Sequence, residues 1–203
     1  TDQSGVYIFT DLDPAKVYIV QFEIMPSMPY TFQNQGDDDE ADSDVDSTSG
    51  ITGPIQIEPG ENRTDIDAGM LDLPATLGDL VWKDTNGNGL QDRGEEGMAN
   101  ITVTLWTDDD GNGTPDTAVQ ITKTDNAGRY LFEGLEPHVT YLVQVTAPED
   151  CDITNPDQGD DEIDSDVDPG SGVSAPITLE SGEINISIDI GSVSYTHLRA
   201  HET

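Results

Sequence analysis

The segment Asp84-Thr-Asn86-Gly-Asn88-Gly89-Leu90-Gln-Asp92-Arg-Gly-Glu95 has oxygen donors at positions 1, 3, 5, 9 and 12 of a twelve-residue loop, with glycine at position 6. This is the complete D-x-[DN]-x-[DN]-G-x5-E pattern with which a chain wraps a calcium ion in hard ligands. Asp84, Asn86 and Asn88 offer side-chain oxygens and Leu90 its main-chain carbonyl. Asp92 offers a direct or water-bridged carboxylate, and Glu95 a bidentate one. Gly89 permits a sharp turn that a β-carbon would resist. The competing reading is a polar Asn/Gly/Asp turn that binds nothing.

A second loop, Asp108-Asp-Asp110-Gly-Asn112-Gly113-Thr114-Pro-Asp116, repeats positions 1, 3, 5, 6 and 9, but Val119 stands at position 12. A distant carboxylate would have to complete it, and a plain hairpin loop is the alternative. Two acidic runs form a third class. Seven of ten residues from Asp37 to Asp46 are acids, as are six of nine from Asp160 to Asp168, and both runs contain DSDVD. Carboxylates about 6 Å apart repel by roughly 0.7 kcal/mol even in water. A divalent ion held by Asp160, Asp161, Asp164 and Asp166 would relieve that crowding; a solvated loop would simply tolerate it.

Catalytic constellations are not evident. No Ser/His/Asp or Cys/His set stands out, His138 follows Pro137 in a turn, and Cys151 reads as a buried or loop thiol. Every acid is explained more simply as a cation ligand than as half of a glycosidase pair. The chain reads as a non-enzyme.

Composition narrows the partners. With 42 Asp+Glu against 7 Lys+Arg, the formal net charge is −35. Phosphate backbones and anionic membrane surfaces are repelled by such a chain, so nucleic acid is excluded as a natural partner. No apolar run is long enough to span a bilayer, which argues against membrane insertion. The single cysteine precludes an intrachain disulfide. Only 33% of residues are hydrophobic, a composition compatible with disorder. The apolar residues nevertheless fall in short alternating runs, which points to folded β-domains with acidic loops.

The elements that must carry these loops are rich in β-branched and aromatic residues. LGDLVW from Leu77 precedes the first loop and NITVTLW from Asn100 follows it, so a helix–loop–helix frame is not expected. An internal repeat organises the whole. GVYIFTDLDPAKVYIVQF from Gly5 matches GRYLFEGLEPHVTYLVQV from Gly128, and GPIQIEPGENRTDIDAG, ending at Gly69, matches APITLESGEINISIDIG, ending at Gly191. Residues 1–71 read as the closing part of one unit and 75–192 as a complete unit, in a piece of a longer repetitive protein. Residues 193–203 resemble translated sequencing-adapter sequence and are set aside, with His197 and His201.

The complete unit is expected to hold seven strands, near Leu77–Lys83, Asn100–Thr107, Ala118–Thr124, Arg129–Glu133, Thr140–Ala147, Ala175–Leu179 and Glu183–Ile190. Three alternating sets should each face one way: Ile101, Val103 and Leu105; Tyr141, Val143 and Val145; and Ile184, Ile186, Ile188 and Ile190. Short strands punctuated by Gly, Pro, Asn and Asp give an all-β fold, an antiparallel Greek-key-type sandwich. The short link Leu71-Asp-Leu-Pro-Ala75 suggests that neighbouring units abut.

LGDLVWKDTNGNGLQDRGEEGMANITVTL, TDNAGRYLFEGL and GDDEIDSDVDPGSG together resemble the B repeats of serine-aspartate-repeat surface proteins, the SdrD-type B domain. The resemblance implies a prealbumin-like or Cna-B-like sandwich that binds calcium and serves as a stalk segment in secreted or wall-attached adhesins. On it, Asp84, Asn86, Asn88, Asp92 and Glu95 fall on the family's calcium loop and the DSDVD aspartates on its second acidic segment. Neighbouring repeats are the expected partners, with any host, matrix or glycan ligand contacted by other domains. Two alternatives stay open: an accessory module of a large extracellular enzyme, or a domain cross-linked by a Lys–Asn isopeptide bond, for which Lys83, Asn185 and Glu133 are the available set.

Overall fold

A computed structural model describes residues 1–2, 4–23, 27–35, 42–148 and 150–194. Its contacts divide the chain into Thr1–Asp72 and Leu73–Thr203.

The second unit is built on β3 (Ala75–Lys83), whose alternation sends Ala75, Leu77 and Val81 into the core and leaves Leu80 and Trp82 buried on the other face. Three strands follow: β4 (Thr102–Thr107), β5 (Thr117–Lys123) and β6 (Arg129–Leu135). They are succeeded by β7 (Thr140–Val145), β8 (Cys151–Ile153), β9 (Ile177–Thr178), β10 (Ile184–Asn185) and β11 (Ile190–Ser194). One sheet runs β5-β4-β7-β9, antiparallel throughout. In the other, β3 pairs antiparallel with β6 and parallel with both β10 and β11, while β8 closes the far side of β11. The two inner faces meet in one core of Leu77, Val81, Tyr130, Phe132 and Ile190 against Val103, Leu105, Tyr141, Val143 and Val145. Each such side chain contributes about 1.5–3 kcal/mol on burial. The fold is all-β and a two-sheet sandwich, and of the strand pairings those of β3 with β10 and β11 depart from the antiparallel expectation.

The expected single strand Glu183–Ile190 is in fact interrupted. Ile188 and Ile190 are buried, but Ile184 is 72% and Ile186 55% exposed, so the four isoleucines do not share one face. The chain pairs with the start of β3 at β10, loses the ladder over 186–189, and regains it at β11. β8 was not foreseen, because CDI is too short to display a period. Its partner β11 extends through Val193 and Ser194, so the first two residues set aside as adapter-derived are hydrogen-bonded sheet residues, with Val193 buried. Residues 195–203, including His197 and His201, lie outside the described residues.

Among its described residues the first unit holds β1 (Val17–Tyr18) and β2 (Ile55–Gln56), paired antiparallel, with a few isolated bridges. Gly5–Leu12, the repeat of the segment that forms β6, makes no strand, and Ile8 is 76% exposed. β6 is held by β3, and residues 1–72 contain no copy of LGDLVWK to play that part. The same local sequence therefore adopts different structure according to its partner.

Candidate metal centre

Asp84 directly follows β3 and is completely buried. Its Oδ1 accepts the Gly87 N–H (2.6 Å), and its Oδ2 accepts the Gly89 N–H (2.9 Å) and the Thr154 hydroxyl (2.7 Å). This carboxylate is thus the hub around which the loop folds. Asn86 Oδ1 accepts the Asn88 N–H and Asn88 Oδ1 accepts the Leu90 N–H, each leaving one lone pair on the amide oxygen. Both amide groups donate to Asp92 Oδ2, at 2.7 and 3.0 Å. Glu95 folds back across the loop, accepting from the Thr85 N–H and hydroxyl on Oε1 and from the Asp92 N–H on Oε2. Gly89 sits at φ +81°, and a Cβ there would lie 2.6 Å from the Asn155 carbonyl. Asn86, Asn88 and Glu95 are thus gathered around Asp92, while Asp84 holds the loop backbone at Gly87 and Gly89. Asp84 and Glu95, however, are turned to protein donors, which keeps the loop's three carboxylates from converging.

Carboxylates converge elsewhere. Among the described residues, Asp108, Asp110 and Asp116 bring one oxygen each within 4.8 Å of one another, and so do Asp161, Asp164 and Asp166. In the β4–β5 loop, Asp108 accepts the N–H groups of Asn112 and Gly113 (both 3.0 Å), and Asn112 donates its amide to Asp110. Val119 lies exposed on β5, outside this loop, so Asp116 is the carboxylate that completes the group.

The 160–168 segment is stitched to the first loop. Gln91 N–H donates to the Ile163 carbonyl (2.7 Å), Ser165 N–H to the Gly89 carbonyl (3.2 Å), and Leu90 bridges Asp164. Asp164 is 2% exposed and accepts the Gly159 N–H. Asp160 lies outside the trio; its main-chain carbonyl accepts from Ile163 and Asp164, closing the turn that presents them. The first acidic run is described only from Asp42 onward.

The structure also gives DSDVD a role that charge counting missed. Ser165 Oγ accepts the Gly191 N–H, Asp166 Oδ2 accepts the Asp189 N–H (2.6 Å), and Val167 fills the core. Asp168 caps the following turn through Ser171 and Gly170, and the Ser171 N–H and hydroxyl hold its carboxyl below the usual range. The first unit repeats these contacts: Gly69 N–H to Ser43 Oγ, Asp67 N–H to Asp44 Oδ2, and Asp46 capping Thr48 and Ser49. The motif is a clasp between the acidic loop and the last strand, and its recurrence follows from that geometry.

Asp189 was overlooked as part of the acidic centre, and only its recurrence as Asp67 could have flagged it. It is 2% exposed, and burial, with Asp79 and Asp166 nearby, pushes its carboxyl up to about 8. Burial, reinforced by Asp161 and Asp164, pushes Asp166 up to about 7. The buried Tyr130 hydroxyl, donating to the Ile188 carbonyl, is raised well above its ordinary value chiefly by burial and then by Asp189, Asp166 and Asp79. The strain of packed carboxylates is concentrated where β3, β6, β11 and the acidic loop meet.

The isopeptide set fails on register. Lys83 pairs with Ser192, whereas Asn185 pairs with Leu77, six residues away along β3. At the rise of a strand that is about 20 Å, far beyond the reach of a lysine side chain. Glu133 sits opposite Thr76, near Asn185's end and away from Lys83.

Residues 1–70 and 75–192 match the SdrD B-like domain family. A serine-aspartate repeat-containing protein F of Staphylococcus epidermidis is 34% identical over 192 residues, covering 94% of this chain and 10% of the relative. A serine-aspartate repeat-containing protein D of Staphylococcus aureus strain Newman is 39% identical over 175 residues, covering 85% and 12%. The chain thus spans about a tenth of the length of these relatives. Solved structures with similar stretches include the Bacillus anthracis TIE protein (TM-score 0.47, 16% identity, 88% of this chain and 25% of that one) and the shaft pilin SpaA of Lactobacillus rhamnosus GG (TM-score 0.36, 11% identity, 61% and 50%). With the calcium-loop pattern, the DSDVD clasp and the sandwich all present in a chain that the family covers almost from end to end, this protein belongs to the SdrD B-like domain family.

Proposed function

We propose that this chain is a calcium-stabilised structural repeat of a secreted or cell-surface adhesin-like protein, a spacer in a stalk with neighbouring repeats as its direct partners. The observation that carries the reading is the convergence of carboxylates without matching positive charge: two trios within 4.8 Å, and a part-buried and a buried aspartate, Asp166 and Asp189, whose protons are held up to about pH 7 and 8. A fold that gathers acids in this way is stabilised by whatever neutralises them. The donors are carboxylates, amide oxygens and main-chain carbonyls, with neither cysteine nor histidine among them. That set suits a hard cation, and its irregular geometry suits calcium better than the strict octahedron of magnesium.

Two sites follow from the ligand sets. Asp108, Asp110 and Asp116 would hold one ion, with the Asn112 amide oxygen joining once it releases Thr114. Asp161, Asp164 and Asp166, adjoining the loop of Asp84, Asn86, Asn88, Leu90, Asp92 and Glu95, would hold ions along the seam between the two loops. Occupation of the first loop requires Glu95 to release Thr85 and the two asparagines to turn their oxygens inward.

At a calcium concentration a thousandfold above the dissociation constant, each site stabilises the folded unit by about 4 kcal/mol. That compares with a total of ~5–15 kcal/mol for an ordinary domain. Calcium therefore acts as a structural element, and a stalk repeat needs rigidity more than chemistry. His138 stands half exposed on a turn 3.8 Å from Glu180, and no catalytic role is assigned to it. The test is thermal melting of the chain in chelator and in millimolar calcium. A rise of many degrees with calcium is expected; coincident transitions refute the proposal.

A further inference from the structure

Three Asn-Gly pairs occur in the chain: Asn86–Gly87, Asn88–Gly89 and Asn112–Gly113. In such a pair the glycine nitrogen can attack the asparagine side-chain carbon. Local sequence makes the three equal; the fold does not. Asn112 Oδ1 accepts both the main-chain N–H (2.8 Å) and the hydroxyl of Thr114, so two donors already sit on the oxygen that becomes anionic during attack. The attacking N–H, that of Gly113, donates to Asp108 Oδ2 at 3.0 Å, a carboxylate placed to take its proton.

The other two pairs share the carboxylate, since the Gly87 and Gly89 N–H groups both donate to Asp84, but they lack the second donor on the amide oxygen. Among the described contacts, Asn86 Oδ1 accepts from Asn88 N–H and Asn88 Oδ1 from Leu90 N–H, with no hydroxyl on either. Gly89 is buried and crowded by the Asn155 carbonyl and Gln158, and its loop is stitched to 163–165. Gly113 is exposed, and even an added Cβ would meet nothing closer than Pro176 at 4.0 Å.

We propose that Asn112–Gly113 is a self-modifying site at which the folded loop promotes its own deamidation. The Gly113 nitrogen bonds to Asn112 Cγ, and its proton passes by way of Asp108 to the departing side-chain nitrogen. The Cγ–Nδ2 bond breaks, ammonia leaves, and a cyclic imide remains. Water then opens the imide at either carbonyl, giving aspartate or an isoaspartyl link; nothing is oxidised or reduced. The aspartate product adds a carboxylate at position 5 of a loop that has valine at position 12, and the isoaspartyl product lengthens the backbone there.

The experiment incubates the full chain in chelator at mildly alkaline pH and follows each Asn-Gly peptide by mass spectrometry, with isoaspartate scored enzymatically. Asn112 should exchange its amide for a hydroxyl several-fold faster than Asn86 or Asn88. Thr114→Val, at an exposed position, should slow it several-fold, and Thr114→Ser should restore the rate. In denaturant the three pairs should converge. Equal rates in the folded chain, an unaffected Thr114→Val, or the same ranking after unfolding would each overturn the proposal.

Discussion

Replacing Asp84 by alanine separates what the carboxylate does for the fold from what it does for an ion. In the folded unit it satisfies two main-chain N–H groups, Gly87 and Gly89, and the Thr154 hydroxyl; the Gly89 and Thr154 bonds are buried and the Gly87 bond is part-buried. Each buried donor left without a partner costs about 1–3 kcal/mol. The two buried ones, Gly89 N–H and the Thr154 hydroxyl, sum to roughly 2–6 kcal/mol, with a smaller loss at the part-buried Gly87. That is a large share of a domain's ~5–15 kcal/mol. Trp82 and Trp106, the only tryptophans, both lie in the Leu73–Thr203 unit, so urea unfolding followed by tryptophan emission reports this unit alone. In chelator, Asp84→Ala should lower the midpoint sharply, while Asp84→Asn, which keeps one acceptor oxygen, should fall between. Calcium should widen the gap between parent and Asp84→Ala. A midpoint for Asp84→Ala equal to the parent's in chelator would refute the hub role.

Three further outcomes follow. Asp189 and Asp166 bind protons more tightly in the folded state than the ordinary 3.8, with values of about 8 and 7. The folded state therefore holds more protons between about pH 4 and 8, and stability in chelator should fall as pH rises through that window. Asp189→Asn should flatten the slope, and an unchanged slope would contradict the assignment. Gly89→Ala forces a β-carbon against the Asn155 carbonyl at positive φ and should cost at least about 1–2 kcal/mol, read as a lowered urea midpoint; an unshifted midpoint would argue against the close approach. Intact mass should show no ammonia loss to a Lys83–Asn185 cross-link, and Lys83→Ala should leave the melting temperature within a degree or so of the parent.

Much of the scaffold was legible because burial imposes period two. Val103 and Leu105, like Tyr141, Val143 and Val145, alternate cleanly and lie in the core. The isoleucine run from Ile184 misled because alternation says nothing about whether a strand keeps its partner: between β10 and β11 the ladder lapses and two isoleucines emerge. Gly5–Leu12 carries the sequence of a strand but lacks the neighbour that would make it one. At the acidic centre, residue types and spacing marked the loops, while the joining of 84–95 to 160–166 and the entry of Asp79 and Asp189 depend on tertiary contacts across many residues. The DSDVD run looked like charge; its alternation of Ser165, Asp166, Val167 and Asp168 is a strand-like pattern with one core residue, one hydroxyl acceptor and one cap.

Calcium titrated calorimetrically into the chelator-stripped full chain, with tryptophan-reported melting before and after, addresses the account most directly. Saturable heat, together with a marked upward shift of the melting transition, is the predicted result. No heat above dilution, with melting identical in chelator and calcium, would contradict it.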